Sequence, residues 1–101
     1  MNEIRFEWDE AKNRTNQRKH GIGFEEASRV FLDPFHLSMQ DRIEDGEPRW
    51  RTIGTIEGLV VLVVAHVLTE ADENGTPVEI VRIISARRAT RRERLHYEQD
   101  R

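Results

Sequence analysis

Polar and apolar residues alternate along Arg5-Phe6-Glu7-Trp8, the pattern of a half-buried strand, and the alternation stops at Asp9. Asp9 can cap a helix and Glu10 puts an acid in its first turn, so a first helix is predicted from Glu10 to His20. Gly21 ends it in the left-handed conformation, with Lys19 and His20 at the negative end of the helix dipole. Phe24, Ala27, Ser28 and Phe31 then share one face at helical spacing and predict a short second helix, ended by Asp33-Pro34. From Leu37 onward the period changes to two, which predicts strands over Leu37–Gln40, Arg49–Ile56, Leu59–Leu68 and Val78–Ser85. Asp41 to Pro48 and Asp72 to Pro77 read as polar loops, and Glu57-Gly58 as a tight hairpin turn. Leu59 to Val67 is apolar almost throughout and is expected as a central strand covered on both faces, with His66 its one titratable side chain. Thr90-Arg91-Arg92-Glu93 fits the capping-box pattern and predicts a last helix over Arg91–Gln99. The resulting order, β-α-α-β-β-β-β-α, predicts an α+β fold: a mainly antiparallel sheet with helices packed on one face.

Composition narrows the function. A chain of 101 residues supports one modest core and excludes a cofactor domain paired with a substrate domain. There is no internal repeat or linker, so residues 1–101 are expected to form one folding unit. No apolar run reaches the roughly 20 residues that span a bilayer, and Met1 to Trp8 lacks a signal pattern. A soluble cytoplasmic protein with no membrane partner is expected. The absence of cysteine removes disulfides, thiolate nucleophiles and cysteine zinc sites. His20, His36, His66 and His96 lack ligand spacing, and no EF-hand, Walker A, dinucleotide or nucleophile-elbow pattern is present. The expectation is therefore no metal and no cofactor.

The net charge of −3 conceals a segregation along the chain. Ala11 to His20 carries Lys12, Arg14, Arg18 and Lys19 without an acid, and Arg82 to Tyr97 carries six arginines against Glu93 alone. The acids concentrate between Asp33 and Glu79. If the basic segments converge they form a polyanion-binding patch; otherwise they are solvated helix faces.

Alternation along Val78 to Ser85 places Arg82 on the face of Ile80 and Ile84, where a buried guanidinium needs an anion. Two readings stand: Arg82 pairs with an acid such as Glu47, or that end of the sheet opens to a phosphate. Arg87 and Arg88 follow on a connection leading to a helix N-terminus, well placed to hold phosphates or simply solvated. Arg49 and Arg51 share a strand face with Ile53, close after Glu47. Brought together, a carboxylate and several guanidiniums suit metal-independent RNA cleavage. A base takes the 2′-OH proton, cations stabilise the phosphorane and an acid protonates the leaving 5′-oxygen. His20 and His66 are candidate acids or bases set against a structural reading as hydrogen-bonded histidines.

Phe6-Glu7-Trp8-Asp9 with Lys12, Asn16 and Lys19-His20-Gly21 is followed by Phe24-Glu25-Glu26-Ala27, Val30-Phe31 and Asp33-Pro34. Arg51-Thr52-Ile53-Gly54 and Ile83-Ile84-Ser85-Ala86-Arg87-Arg88-Ala89, with Glu93 and Tyr97, complete an ordered set. In this set the chain resembles the BrnT toxins of bacterial type II toxin–antitoxin systems. The resemblance implies a RelE-like fold and a metal-independent ribonuclease that blocks translation. It also implies neutralisation by a BrnA-like antitoxin with a ribbon-helix-helix domain, in a heterotetramer or larger, and operator DNA bound only through that antitoxin. With the resemblance, the candidate catalytic residues are Glu47, Arg51, Arg82, Arg87 and Arg88, and the candidate RNA-binding residues are Lys12, Lys19, His20, Arg49 and Arg91. The alternative is a non-catalytic nucleic-acid-binding regulatory module that uses the same arginines only to grip phosphate.

Overall fold

The fold was taken from a computed structural model that describes residues 3–99. In chain order the elements are β1 (Glu3–Glu7), α1 (Glu10–His20), α2 (Phe24–Ser28), a 3₁₀ turn (Arg29–Leu32), β2 (Leu37–Glu44), β3 (Glu47–Ile56), β4 (Val60–Glu73), β5 (Thr76–Arg88) and α3 (Arg91–Gln99). The strands lie in one sheet in the order β1-β5-β4-β3-β2, with β4 at the centre. β1 runs parallel to β5, from Glu3 opposite Val78 to Glu7 opposite Arg82, and the other pairings are antiparallel, so the sheet is mixed.

The segments expected as loops at Asp41 to Pro48 and Asp72 to Pro77 are largely strand. Asp45-Gly46 closes β2 onto β3 and Asn74-Gly75 closes β4 onto β5, each residue at positive φ. Two successive positive φ values twist the chain in the sense that matches a β-hairpin, and Asp-Gly and Asn-Gly reach them at low steric cost. The polar residues that flank these turns belong to exposed hairpin arms, where polarity does not interrupt the hydrogen-bond ladder.

Helices pack on both faces of the sheet, not on one. Leu62 and Val64 of β4 and Val81, Ile83 and Ala86 of β5 meet Ile22, Phe24, Ala27 and Val30 in the main core. The alternate residues Ile53 and Val63 point the other way and are covered by Tyr97 of α3. The first face is already filled by the α2 region, so the apolar stripe on the second face is the landing left to α3.

α1 has the predicted limits and caps: Asp9 accepts from the backbone of Ala11 and Lys12, and Gly21 sits at φ 72°. Its buried side chains are Asn13 and Asn16. The Asn16 amide donates to the carbonyl of Ala86 at 2.8 Å and accepts from its N–H at 3.1 Å. Asn16 thus satisfies the edge of β5 beyond the end of β1 and moors α1 there. Gly54 lets the 3₁₀ turn lie on β3, since a Cβ at that position would stand 2.8 Å from Val30 Cγ1.

Candidate active site

The face of the sheet that carries α3 is open beyond that helix, and its floor is made of small residues. Ala65 of β4 pairs with Ser85 of β5 on one side and Arg51 of β3 on the other. Between Ser85 and Ile83 the β5 register shifts by a bulge, which breaks the simple alternation expected through Ile84 and turns the strand locally. A hollow over this floor is lined by Lys12, Asp41, Arg49, Ala65, Ile84 and Ser85. Lys12 reaches it from α1 along the β5 edge; Asp41 comes from β2 on the opposite side. An adjoining groove is lined by Lys12, Lys19, His20 and Ser85.

Arg42, Arg49, Asp41 and Glu44 line the hollow, and further arginines and carboxylates stand on the same face of the sheet. Arg82 Nη2 donates to Glu47 Oε1 at 2.9 Å, with the Arg82 side chain 45% exposed. Of the two readings of Arg82, the pairing with Glu47 is the one present, and the guanidinium is not buried. Arg49 Nη2 lies 3.9 Å from the same Glu47 oxygen. Arg87 makes a bidentate pair with Glu93, Nη1 to Oε1 at 2.8 Å and Nη2 to Oε2 at 2.9 Å. Arg51 Nη1 stands 3.7 Å from Glu93 Oε2. The Nε atoms of Arg49 and Arg51 are buried and find no hydrogen-bond acceptor among the described residues; their nearby carboxylates, Glu44 and Asp41, stand 3.9 and 3.8 Å away. Buried donors left in this condition favour an incoming acceptor.

Glu93 also forms the predicted capping box. Its carboxylate accepts from the Thr90 N–H at 2.8 Å, and its own N–H donates to Thr90 Oγ1 at 3.2 Å. The Arg87 hydrogen bonds, assisted by those from Thr90 and opposed by burial, hold its pKa down at about 2. Glu93 is therefore a fixed anion at neutral pH and a poor proton acceptor.

The matching family model is described as the ribonuclease toxin BrnT of type II toxin–antitoxin systems, and it covers residues 8–93. The chain belongs to the BrnT toxin family. The 1.1 Å crystal structure of the Brucella abortus ribonuclease toxin BrnT has the same fold, with a TM-score of 0.61 and 24% sequence identity over 88% of this chain and 99% of that one. No curated protein matches the sequence. As a ribonuclease toxin of a type II system, this BrnT family member has an antitoxin partner. Among the described residues, no helix is long and apolar enough to cross a membrane.

Within this BrnT fold the sequence-predicted residues divide. Glu47, Arg49 and Arg82 form one cluster on the open face and Arg51 and Arg87 a second one around Glu93, and Lys12, Lys19 and His20 border the face from α1. Arg91 opens α3 and is exposed. Arg88 does not join the group. β5 continues to Arg88, so Arg87 pairs opposite Val63 beside Glu93, while Arg88 pairs with Leu62 at the strand end and borders one groove with Ile22 and Glu26 and another with Arg94 and Tyr97. Glu93 was legible as a helix cap but not as the partner of Arg87; the signal was an acid standing alone in a segment of six arginines.

His66 is a structural histidine. It is 1% exposed, its Nε2 lies 2.7 Å from Thr52 Oγ1, and Phe31 meets its ring edge-on at 5.1 Å. Its position on the main-core side keeps it from the open face.

Proposed function

We propose that this BrnT family toxin cleaves RNA without a metal ion on the open sheet face, and so inhibits translation. The observation that carries the reading is a single open sheet face that holds two arginine clusters, Arg82 and Arg49 at Glu47 and Arg87 and Arg51 at Glu93, beside a hollow lined by Lys12, Arg49, Ala65 and Ser85. In this reading the Glu47 carboxylate takes the proton of a ribose 2′-OH as the 2′-oxygen attacks phosphorus. Arg82, Arg51 and Arg87 stabilise the negative charge of the phosphorane. The bond from phosphorus to the 5′-oxygen then breaks, that oxygen takes a proton from water admitted by the open hollow, and the hydroxide left behind takes the proton back from Glu47, which restores both the water and the carboxylate. The products are a 2′,3′-cyclic phosphate and a 5′-hydroxyl. Lys12, Lys19, His20, Arg49 and Arg91 hold neighbouring phosphates. Arg88 has no part in this scheme, because it faces the other side of the sheet.

The antitoxin in this reading is a BrnA-like ribbon-helix-helix protein. It covers the basic patch, excludes RNA from it, and brings two toxins together through its own dimer, giving a heterotetramer or larger that reaches operator DNA through the antitoxin alone. The same reading places the toxin in the cytoplasm and its fold among RelE-like ribonucleases.

The test is cleavage of single-stranded RNA by purified toxin in excess EDTA, with product ends identified by mass spectrometry. Cyclic phosphate ends and activity undiminished by EDTA are expected, with activity weakening as salt rises. Loss in EDTA with rescue by a divalent ion, or binding without cleavage, overturns the reading.

A further inference from the structure

A guanidinium carries five N–H donors arranged as two forks and one remaining donor. In Arg87 the end-on fork, one N–H from each Nη, is taken by Glu93, and Nη1 also donates to the Arg88 carbonyl at 3.3 Å. The side-on fork, made of Nε–H and the outer N–H of Nη2, has no acceptor among the described residues. Two parallel donors of that kind match two oxygens of a phosphate. Glu93 therefore leaves Arg87 a complete second fork and fixes the direction in which it points.

Glu93 is itself held on two sides. Its carboxylate accepts from Thr90 N–H, its backbone belongs to α3, and its side chain is 18% exposed. The same carboxylate stands 3.7 Å from Arg51 across the floor. A rigid anion between two arginines offsets their mutual repulsion and sets their separation before any ligand arrives. We propose that Glu93 is a positioning residue, which aims the side-on fork of Arg87 and steadies Arg51 for the RNA phosphate. The inference rests on the open-face reading of cleavage above, and it assigns Glu93 no proton transfer.

The opposite role is also chemically sensible: a carboxylate on Arg87 could compete with phosphate and hold the toxin back. The fork geometry decides against it, because phosphate does not need the donors that Glu93 occupies.

Glu93→Gln tests the choice, since glutamine at this position preserves a capping box while removing the charge. With folding confirmed by circular dichroism, kcat on an RNA oligonucleotide should fall by about 10²-fold with KM changed much less, as expected for a misplaced transition-state donor. Glu93→Asp should recover part of that loss. Thr90→Ala keeps the backbone N–H that holds the Glu93 carboxylate and removes only the hydroxyl that caps α3, so it should lower the melting temperature with a much smaller loss of kcat than Glu93→Gln, which separates positioning from helix capping. A folded Glu93→Gln protein with unchanged or raised kcat overturns the proposal. A second readout does not depend on cleavage: in ¹⁵N-edited NMR the guanidinium protons of Arg87 should be resolved in the wild type and lost to exchange in Glu93→Gln. Unchanged Arg87 signals would sink the positioning role, even if the toxin proved not to cleave RNA by the route above.

Discussion

The hydroxyl of Tyr97 donates to the carboxylate of Asp33, tying the end of α3 to a residue 64 positions earlier in the chain. Asp33 follows the 3₁₀ turn on the main-core side, and it also accepts from the N–H of Thr55 and of Phe35, each at 2.9 Å. Thr55 lies on β3 beyond the start of β2, where the strand edge would otherwise be open. One carboxylate thus closes a strand edge, ends the 3₁₀ turn and anchors the helix that carries Glu93. Gly54 is what lets it come close, since a Cβ there would stand 3.2 Å from Asp33 Oδ2.

Tyr97→Phe keeps the ring that packs on Ile53 and Val63 and removes the hydroxyl that donates to Asp33. The cost should be about 1–3 kcal/mol, because the buried carboxylate loses a donor. In a domain of this size each kcal/mol lowers the melting temperature by about 4–8 °C. Thermal unfolding followed by circular dichroism measures it, and an unchanged melting temperature would show that Tyr97 holds α3 through its ring alone.

Arg87 and Arg88 are adjacent in sequence and opposed in space, so their substitutions should not behave alike. Arg87→Ala removes a donor aimed at the open face and should lower RNA cleavage by about 10²-fold or more. Arg88→Ala, on the other face, should leave cleavage nearly intact and change stability by about 0.5 kcal/mol or less. Growth arrest on induction, checked against the soluble protein level, separates the two. Equal loss in both variants would contradict the placement.

Much of this arrangement was legible in the sequence, and the exceptions have local causes. The limits of α1 follow from Asp9 and Gly21, because caps are chemical stops that act without tertiary context. The central strand was legible because an apolar run covered on both faces needs no partner to be recognised. Strand ends were missed where hairpin arms extend into solvent and their polar residues imitate a loop. Asp45-Gly46 and Asn74-Gly75 were the available corrections. Ending β5 at Ser85 instead of Arg88 placed Arg87 and Arg88 together on a connection; three further residues of strand put them on opposite faces. The side of the sheet taken by α3 was not legible, since Tyr97 can cover either apolar stripe until α2 has claimed one.

Two carboxylates should set the acid limit of stability. Glu93 is held at about 2 by its hydrogen bonds to Arg87, with help from Thr90. Burial pushes Asp33 up, but the hydrogen bonds from Tyr97, Thr55 and Phe35 outweigh it and leave the group below its usual 3.8. For a group whose folded pKa is depressed, the stabilisation is full above the unfolded value and is lost as pH falls through the folded one. Wild-type stability should therefore drop as pH falls from about 4.5 towards 2, and Glu93→Gln should lose less over that window. Urea unfolding across the window checks it; parallel curves for the two proteins would show that Glu93 is not the titrating anchor.

His66 should be neutral at every pH at which the toxin works. Burial alone pushes its pKa down from 6.5 to about 4. Its Nε2 meets Thr52 Oγ1 at 2.7 Å, Thr52 Oγ1 lies 2.7 Å from Ser38 Oγ, and its buried Nδ1 has no hydrogen-bond partner among the described residues, so nothing there favours a second ring proton. Between about pH 4 and 6.5 the unfolded chain binds a proton at this residue that the folded one refuses, so its contribution to stability rises with pH across that interval and is complete above it. The imidazole C–H resonances of His66 should stay unmoved between about pH 5.5 and 8, while an exposed histidine titrates near 6.5. Any histidine-dependent limb in the pH profile of RNA cleavage should then survive His66→Gln. A His66 midpoint near 6.5, or a limb that vanishes in the folded variant, would return this residue to the chemistry of the site.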